Sequence, residues 1–171
     1  MSKNILLCGN PNVGKSSLYN ILTKSHEHTG NWTGKTVEIT SKAIKNTDYK
    51  LIDLPGIYSL SSLSDEEIVA RNTMYFTEYE KIIYVCDASN LEKNLNLLLQ
   101  ISEINKNIIL CLNMVDELKS KQINIDVDLL KKILGIEVIE CSTKSNIGID
   151  TLLLSLDKHS YLNYNIIYND E

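Results

Sequence analysis

Residues 4–20, NILLCGNPNVGKSSLYN, decide the fold. The apolar run Ile5-Leu6-Leu7-Cys8 reads as a buried strand and stops at Gly9. A helical pattern begins near Lys15 and carries Leu18 and Leu22 on one side. Between them, Gly9-Asn10-Pro11-Asn12-Val13-Gly14-Lys15-Ser16 fills every fixed position of G-x-x-x-x-G-K-[ST]. Strand, glycine loop and helix are the context in which that pattern binds phosphates. The glycines let successive backbone N–H groups curl into a positively polarised nest, reinforced by the helix N-terminus. Lys15 is placed to reach β- and γ-phosphates, and the Ser16 hydroxyl to ligate Mg²⁺. The contact stretch for a nucleotide is therefore Gly9, Asn10, Pro11, Asn12, Val13, Gly14, Lys15, Ser16 and Ser17. It specifies a triphosphate and says nothing of the base.

Working outward, strand and helix patterns alternate along the whole chain. Strands are expected at 4–8, 37–45, 49–53, 81–87, 107–112 and 137–140. Helices are expected at 15–24, 65–77, 91–103, 126–134 and 149–157. The run Ile82-Ile83-Tyr84-Val85-Cys86 is apolar throughout, as a strand covered on both faces should be. Leu91, Leu95, Leu98 and Ile101 form one helical stripe facing a core. The expectation is an α/β protein: six strands in a mostly parallel sheet, with helices on both faces. Ligands in such sheets bind beyond the strand C-termini. Pro11, Pro55 and five of the seven glycines fall within the first 56 residues, in loops of that kind.

Composition narrows the field. With 171 residues the chain is long enough for one domain with a real core. Its longest apolar runs, such as 82–86 and 108–112, are far short of the roughly 20 residues of a spanning helix. The opening Met-Ser-Lys-Asn does not read as a secretory signal. A net charge of -5 and a single arginine, Arg71, argue against nucleic-acid partners. Cys8, Cys86, Cys111 and Cys141 each end or adjoin an apolar run and form no C-x-x-C pair. They read as buried, reduced thiols in a cytoplasmic compartment.

Two further motifs follow in order. Asp53-Leu54-Pro55-Gly56 closes the third expected strand as D-x-x-G. Asp53 can hold Mg²⁺ through water, and the Gly56 N–H can sense a γ-phosphate. Thr36, between the phosphate loop and D-x-x-G, is the candidate second Mg²⁺ ligand, ordered by that phosphate. Asn113-Met114-Val115-Asp116 follows the fifth strand as N-x-x-D. The Asp116 carboxylate can accept from N1–H and N2–H₂ of guanine, and adenine offers no matching donors. Asn113 can position the pocket and touch the other edge of the base. After the last strand, a backbone N–H within Ser142-Thr143-Lys144 can meet the guanine carbonyl. These contacts favour GTP and GDP over adenine nucleotides by orders of magnitude.

Together GNPNVGKSSLYN, GNWTGKTVE, DLPGIYSLSSLSDEE and NMVD resemble the G domain of the ferrous iron transport protein B (FeoB) family, over about 4–157. The resemblance implies a P-loop GTPase (Ras-like) fold over residues 1–160, with 161–171 beginning a helical continuation or tail. It implies a GTP-hydrolysing regulatory domain on the cytoplasmic face of a bacterial inner membrane, signalling to an Fe²⁺ permease in the same parent protein. An oligomer, if formed, would form through that parent. The resemblance further implies a K⁺ site in which Asn12 and backbone carbonyls of about Gly30 and Trp32 hold the ion against the phosphates. Lys15, Thr36, Gly56 and Asn12 are then the groups that assist hydrolysis. Alternatives are a stand-alone GTPase of ribosome or tRNA biology, and a GTP-binding module without hydrolysis.

Several residues are read more plainly. Ile57 stands where Ras-like proteins place a water-orienting glutamine, so hydrolysis should be slow. Ser142-Thr143 replaces the more usual Ser-Ala. Arg71 reads as a solvated helical side chain, His26 and His28 as a solvated loop, Trp32 as part of the loop that senses nucleotide, and Glu66 and Glu67 as helix-capping acids.

Overall fold

A computed structural model describes residues 3–24, 37, 39–61, 63–159 and 161–162. Six strands, β1 (Lys3–Gly9), β2 (Thr40–Ala43), β3 (Tyr49–Asp53), β4 (Lys81–Asp87), β5 (Ile108–Asn113) and β6 (Glu137–Glu140), form one sheet in the order β2-β3-β1-β4-β5-β6. All neighbours are parallel except β2, which pairs antiparallel with β3 at the edge. The helices are α1 (Lys15–Thr23), α2 (Asp65–Phe76), α3 (Leu91–Ile104), α4 (Val115–Leu118), α5 (Val127–Leu134) and α6 (Ile149–Ser155).

The pleat explains why two layers of helix are needed. Ile5 and Leu7 point to one face, where they pack with Leu18 and Leu22 of α1 and Leu152 of α6. Leu6 and Cys8 point to the other, where Met74 of α2, Leu97 and Ile101 of α3 and Leu134 of α5 cover them. Both faces of the central strands are thus sealed, and every residue of β5 is buried. Each such side chain contributes about 1.5–3 kcal/mol relative to exposure. All four cysteines are free and buried within these layers. Burial pushes the Cys8 and Cys86 thiols up to about 12, so both are neutral core groups.

The expected strand over 37–45 is shorter than its sequence pattern: pairing covers only Thr40–Ala43. Ile44 then turns inward as a core residue, its N–H donating to the Tyr49 carbonyl, and Asn46 takes a left-handed φ of 61° to close the hairpin. Helix α4 was not expected from the sequence; four residues are too few to show a period. Among the described residues, no helix is long and apolar enough to cross a membrane. Near the C-terminus, Tyr161 bridges Asn107 and the Leu162 N–H donates to the Lys106 carbonyl.

The parallel registers bring four strand ends to one edge. Leu7 lies beside Asp53, Gly9 beside Val85, and Asp87 beside Asn113. These ends and the segments that follow them, together with residues 142–144 after β6, carry the described residues of the candidate site.

Candidate functional site

The phosphate loop leaves β1 at Gly9, where a Cβ would lie 2.4 Å from the Val85 carbonyl oxygen. Only glycine lets the loop turn so close to β4. Asn12 takes φ 65° and Gly14 φ 84°, left-handed conformations that aim consecutive N–H groups into one concavity. A Cβ on Gly14 would meet the Asn113 amide nitrogen at 2.2 Å. Helix α1 starts directly after it, and the Leu18 N–H donates to the Gly14 carbonyl at 3.0 Å. Val13 is buried beneath the loop, Asn10 is buried and Asn12 and Ser17 are exposed.

Lys15 is only 8% exposed, and its ammonium is ion-paired with Asp53 Oδ1. The residue expected to reach phosphates and the one expected to hold Mg²⁺ through water therefore share one spot at the ends of β1 and β3. Ser16, in the first turn of α1, and Asp53 supply a hydroxyl and a carboxylate. These are hard oxygen donors, the kind Mg²⁺ takes, so the described part of the set fits that ion. Among the described residues, no group of three His, Cys, Asp or Glu side chains could hold a metal by itself. Thr36, Gly30 and Trp32, with His26 and His28, lie outside the described residues.

D-x-x-G is docked on the phosphate loop. The Leu54 N–H donates to the Leu7 carbonyl at 3.0 Å, and the Ile57 N–H to the Gly9 carbonyl at 3.2 Å. A Cβ on Gly56 would lie 3.1 Å from Pro11 Cα, so glycine is what permits this approach. Ile57 is 2% exposed and packs in the core with Ala70 and Met74. Its side chain faces away from the site, which agrees with the sequence argument that it cannot orient water. Arg71 is half-buried rather than freely solvated: its Nη1 donates to the Leu60 carbonyl at 2.9 Å. From α3, Gln100 Oε1 accepts from the Leu60 N–H at 2.8 Å and the Ser59 hydroxyl at 3.2 Å. Neither tie was foreseen, because a polar residue on a helix carries no mark of which loop it will meet. Of the two acids, Glu67 joins the cap: Ser64 caps α2, accepting from the Glu67 N–H and donating to Glu67 Oε2, while Glu66 is exposed in the first turn.

At the base end, Asn113 is fully buried. Its Nδ2 donates to the Val13 carbonyl at 2.9 Å and to Thr143 Oγ1 at 3.4 Å, and its Oδ1 accepts from the Thr143 N–H at 3.1 Å. Asn113 thus joins the phosphate loop to the loop after β6. Met114, in a left-handed conformation with φ 65°, turns the chain into α4, whose first turn presents Asp116 exposed. In 142–144, the Ser142 N–H donates to the Ile147 carbonyl and the Thr143 N–H to Asn113. Cys141, buried behind this loop, keeps the Cys111 thiol neutral through a hydrogen bond added to burial.

The fold and order of motifs invite comparison with known proteins. The chain is 40% identical to NFeoB from S. thermophilus bound to GDP·AlF4⁻ and K⁺, with a TM-score of 0.85 over 92% of this chain and 62% of that one. Against mGMPPNP-bound NFeoB from the same species the TM-score is 0.82 at 42% identity, over 89% of this chain and 59% of that one. Both support a P-loop GTPase fold. The Fe(2+) transporter FeoB of Campylobacter jejuni is 41% identical over 151 residues, 87% of this chain and 25% of that protein. The Fe(2+) transporter FeoB of Escherichia coli K12 is 40% identical over 159 residues, 90% of this chain and 21% of that protein. The chain therefore spans between a fifth and a quarter of the length of these relatives. Since residues 3–156 also match the family model described as ferrous iron transport protein B, the chain belongs to the FeoB family, as a counterpart of its G domain.

Proposed function

We propose that this chain binds guanine nucleotides and hydrolyses GTP to GDP and phosphate, and that it serves as the regulatory G domain of a bacterial Fe²⁺ transporter. The observation that carries the reading is Asn113. One buried amide ties the phosphate loop to the base loop, so triphosphate and base are read by a single rigid frame.

In that frame Lys15 holds the β- and γ-phosphates, and the N–H groups of the Asn12–Gly14 turn cradle them. The Asp116 carboxylate accepts from N1–H and N2–H₂ of guanine, and the Lys144 N–H donates to its carbonyl. Ser16 and Thr36 would hold Mg²⁺ directly, and Asp53 through water; when bound, that ion neutralises charge between the β- and γ-phosphates. Gly56 presents its N–H to the γ-phosphate. A water attacks the γ-phosphorus and GDP leaves. With Ile57 buried and Arg71 engaged on Leu60, no described side chain from these positions orients that water or supplies an arginine finger, which favours slow turnover.

The described groups thus leave room for a further positive charge beside the leaving oxygen. Asn12, exposed and left-handed, has an amide oxygen suited to K⁺, with Gly30 and Trp32 carbonyls completing the set. The K⁺ bound by the S. thermophilus relative supports this assignment. Residues 1–160 form the G domain and 161–171 lead toward the helical continuation. The state of the nucleotide is then signalled to a membrane permease in the parent protein.

Phosphate release from GTP, measured with Mg²⁺ in KCl and in NaCl at matched ionic strength, tests the reading. Turnover should be well above the uncatalysed rate and faster in KCl, and Asn12→Ala should remove the difference while leaving GDP affinity nearly unchanged. Asp116→Asn should move the preference from guanine toward xanthine nucleotides, because xanthine carries an acceptor where guanine has its amino group. Equal affinity of the parent chain for GDP and ADP would defeat the guanine assignment.

A further inference from the structure

We infer that Tyr84 is a positioning residue for GTP hydrolysis, setting the phosphate loop from behind through Asn10 and bracing it against α3. The inference rests on the GTPase reading above and adds to it a residue outside every nucleotide motif.

Tyr84 lies in the middle of β4 and is fully buried. Its hydroxyl stands 2.8 Å from Asn10 Oδ1 and 2.7 Å from the carbonyl oxygen of Asn94 in α3. A phenol has one proton, so it cannot donate to both oxygens at once. Turning the Asn10 amide over resolves the conflict: Asn10 Nδ2 donates to the phenol oxygen, and the phenol donates to the Asn94 carbonyl. Burial holds the phenol neutral, as a bridge of this kind requires. Asn94 is itself fixed, its Nδ2 donating to the Asn90 carbonyl at 2.8 Å.

What Asn10 controls follows from its neighbours. Pro11, the next residue, is the surface against which Gly56 packs, and Gly9, the previous one, accepts from the Ile57 N–H. Tyr84 therefore steadies the front of the loop, where D-x-x-G must bring its N–H to a γ-phosphate. The rear of the loop, Val13 and Gly14, is held separately by Asn113. Losing the Tyr84 bridge should disturb the γ-phosphate end and spare the contacts that GDP shares with GTP.

The test uses the full chain with Mg²⁺ and K⁺, well below its melting temperature. Tyr84→Phe keeps the ring and removes the hydroxyl. It should lower kcat roughly three- to tenfold, the scale of one or two lost hydrogen bonds, with GDP affinity within about twofold of the parent. Asn10→Ala should lower kcat by a similar factor, and the double variant should lose no more kcat than either single one, since both remove one bridge. A packing role alone would lower the melting temperature without this split between kcat and GDP affinity. Parental kcat in Tyr84→Phe, or losses that multiply in the double variant, would overturn the inference and leave the GTPase reading intact. A parent chain that binds GDP and shows no turnover would instead defeat the hydrolysis reading, and this inference with it.

Discussion

The phosphate loop and the D-x-x-G segment lie against each other, yet they are held by different means. The loop is held by backbone geometry and by side chains anchored in strands: glycine at Gly9 and Gly14, Tyr84 from β4 and Asn113 from β5. Residues 54–60 are held by two main-chain bonds to the loop and sheet, from Leu54 and Ile57, and by long side chains from helices, Gln100 of α3 and Arg71 of α2. Strand-borne anchors have nowhere to go, since both faces of the sheet are sealed. A glutamine or arginine can let go of a loop and turn to solvent at modest cost. The difference teaches which part should be the same in every nucleotide state and which part is built to change.

The largest effect should come from the rigid side. Gly14→Ala places a side chain at φ 84° and forces it against the buried Asn113 amide. GDP affinity should fall by at least about 100-fold, the scale of losing both the loop geometry and its anchor. Calorimetric titration with GDP measures it. A loss under about threefold would show that the loop adapts, and the contrast with D-x-x-G would collapse.

Asn113→Ala comes next. It removes the bonds to Val13 and Thr143 and leaves two backbone groups to find other partners. GDP affinity should fall roughly ten- to 100-fold with a lowered melting temperature. If fluorescent-nucleotide titration instead shows parental affinity, the base and phosphate loops are held together by something other than this amide.

The smallest effect should come from the helix-held side. Gln100→Ala frees Leu60 and Ser59 but touches nothing in the phosphate loop. GTP turnover should change about two- to fivefold in either direction, with GDP affinity parental within about twofold. Hydrogen exchange at residues 59–61 should rise in the same variant. A GDP affinity loss comparable to that of Asn113→Ala would place both segments in one rigid unit.

Much of this site was legible in the chain because its meaning is local. A strand, a glycine loop and a helix in succession leave few other structures for Gly9 to Ser16. Asp53-Leu54-Pro55-Gly56 and Asn113-Met114-Val115-Asp116 fall at strand ends, where an apolar run can be seen to stop. The tie from Arg71 is not legible in the chain, because its partner Leu60 lies eleven residues away in a segment with no regular pattern. The edge strand was drawn too long for a related reason. Alternation continues through Ile44, but pairing ends where the hairpin turns.

By itself the sequence determined the strand–glycine loop–helix unit, the order of the loops and the two-sided burial of the central strands. All of these follow from residue type and spacing along one segment. Only the tertiary structure decided that Asn113 faces Val13 across 100 positions, that Tyr84 meets Asn10 across 74, and that Ile57 turns into the core. The physical reason is that a buried hydrogen bond is chosen by whichever groups the packed sheet brings within about 3 Å, and that proximity is a property of strand order and register.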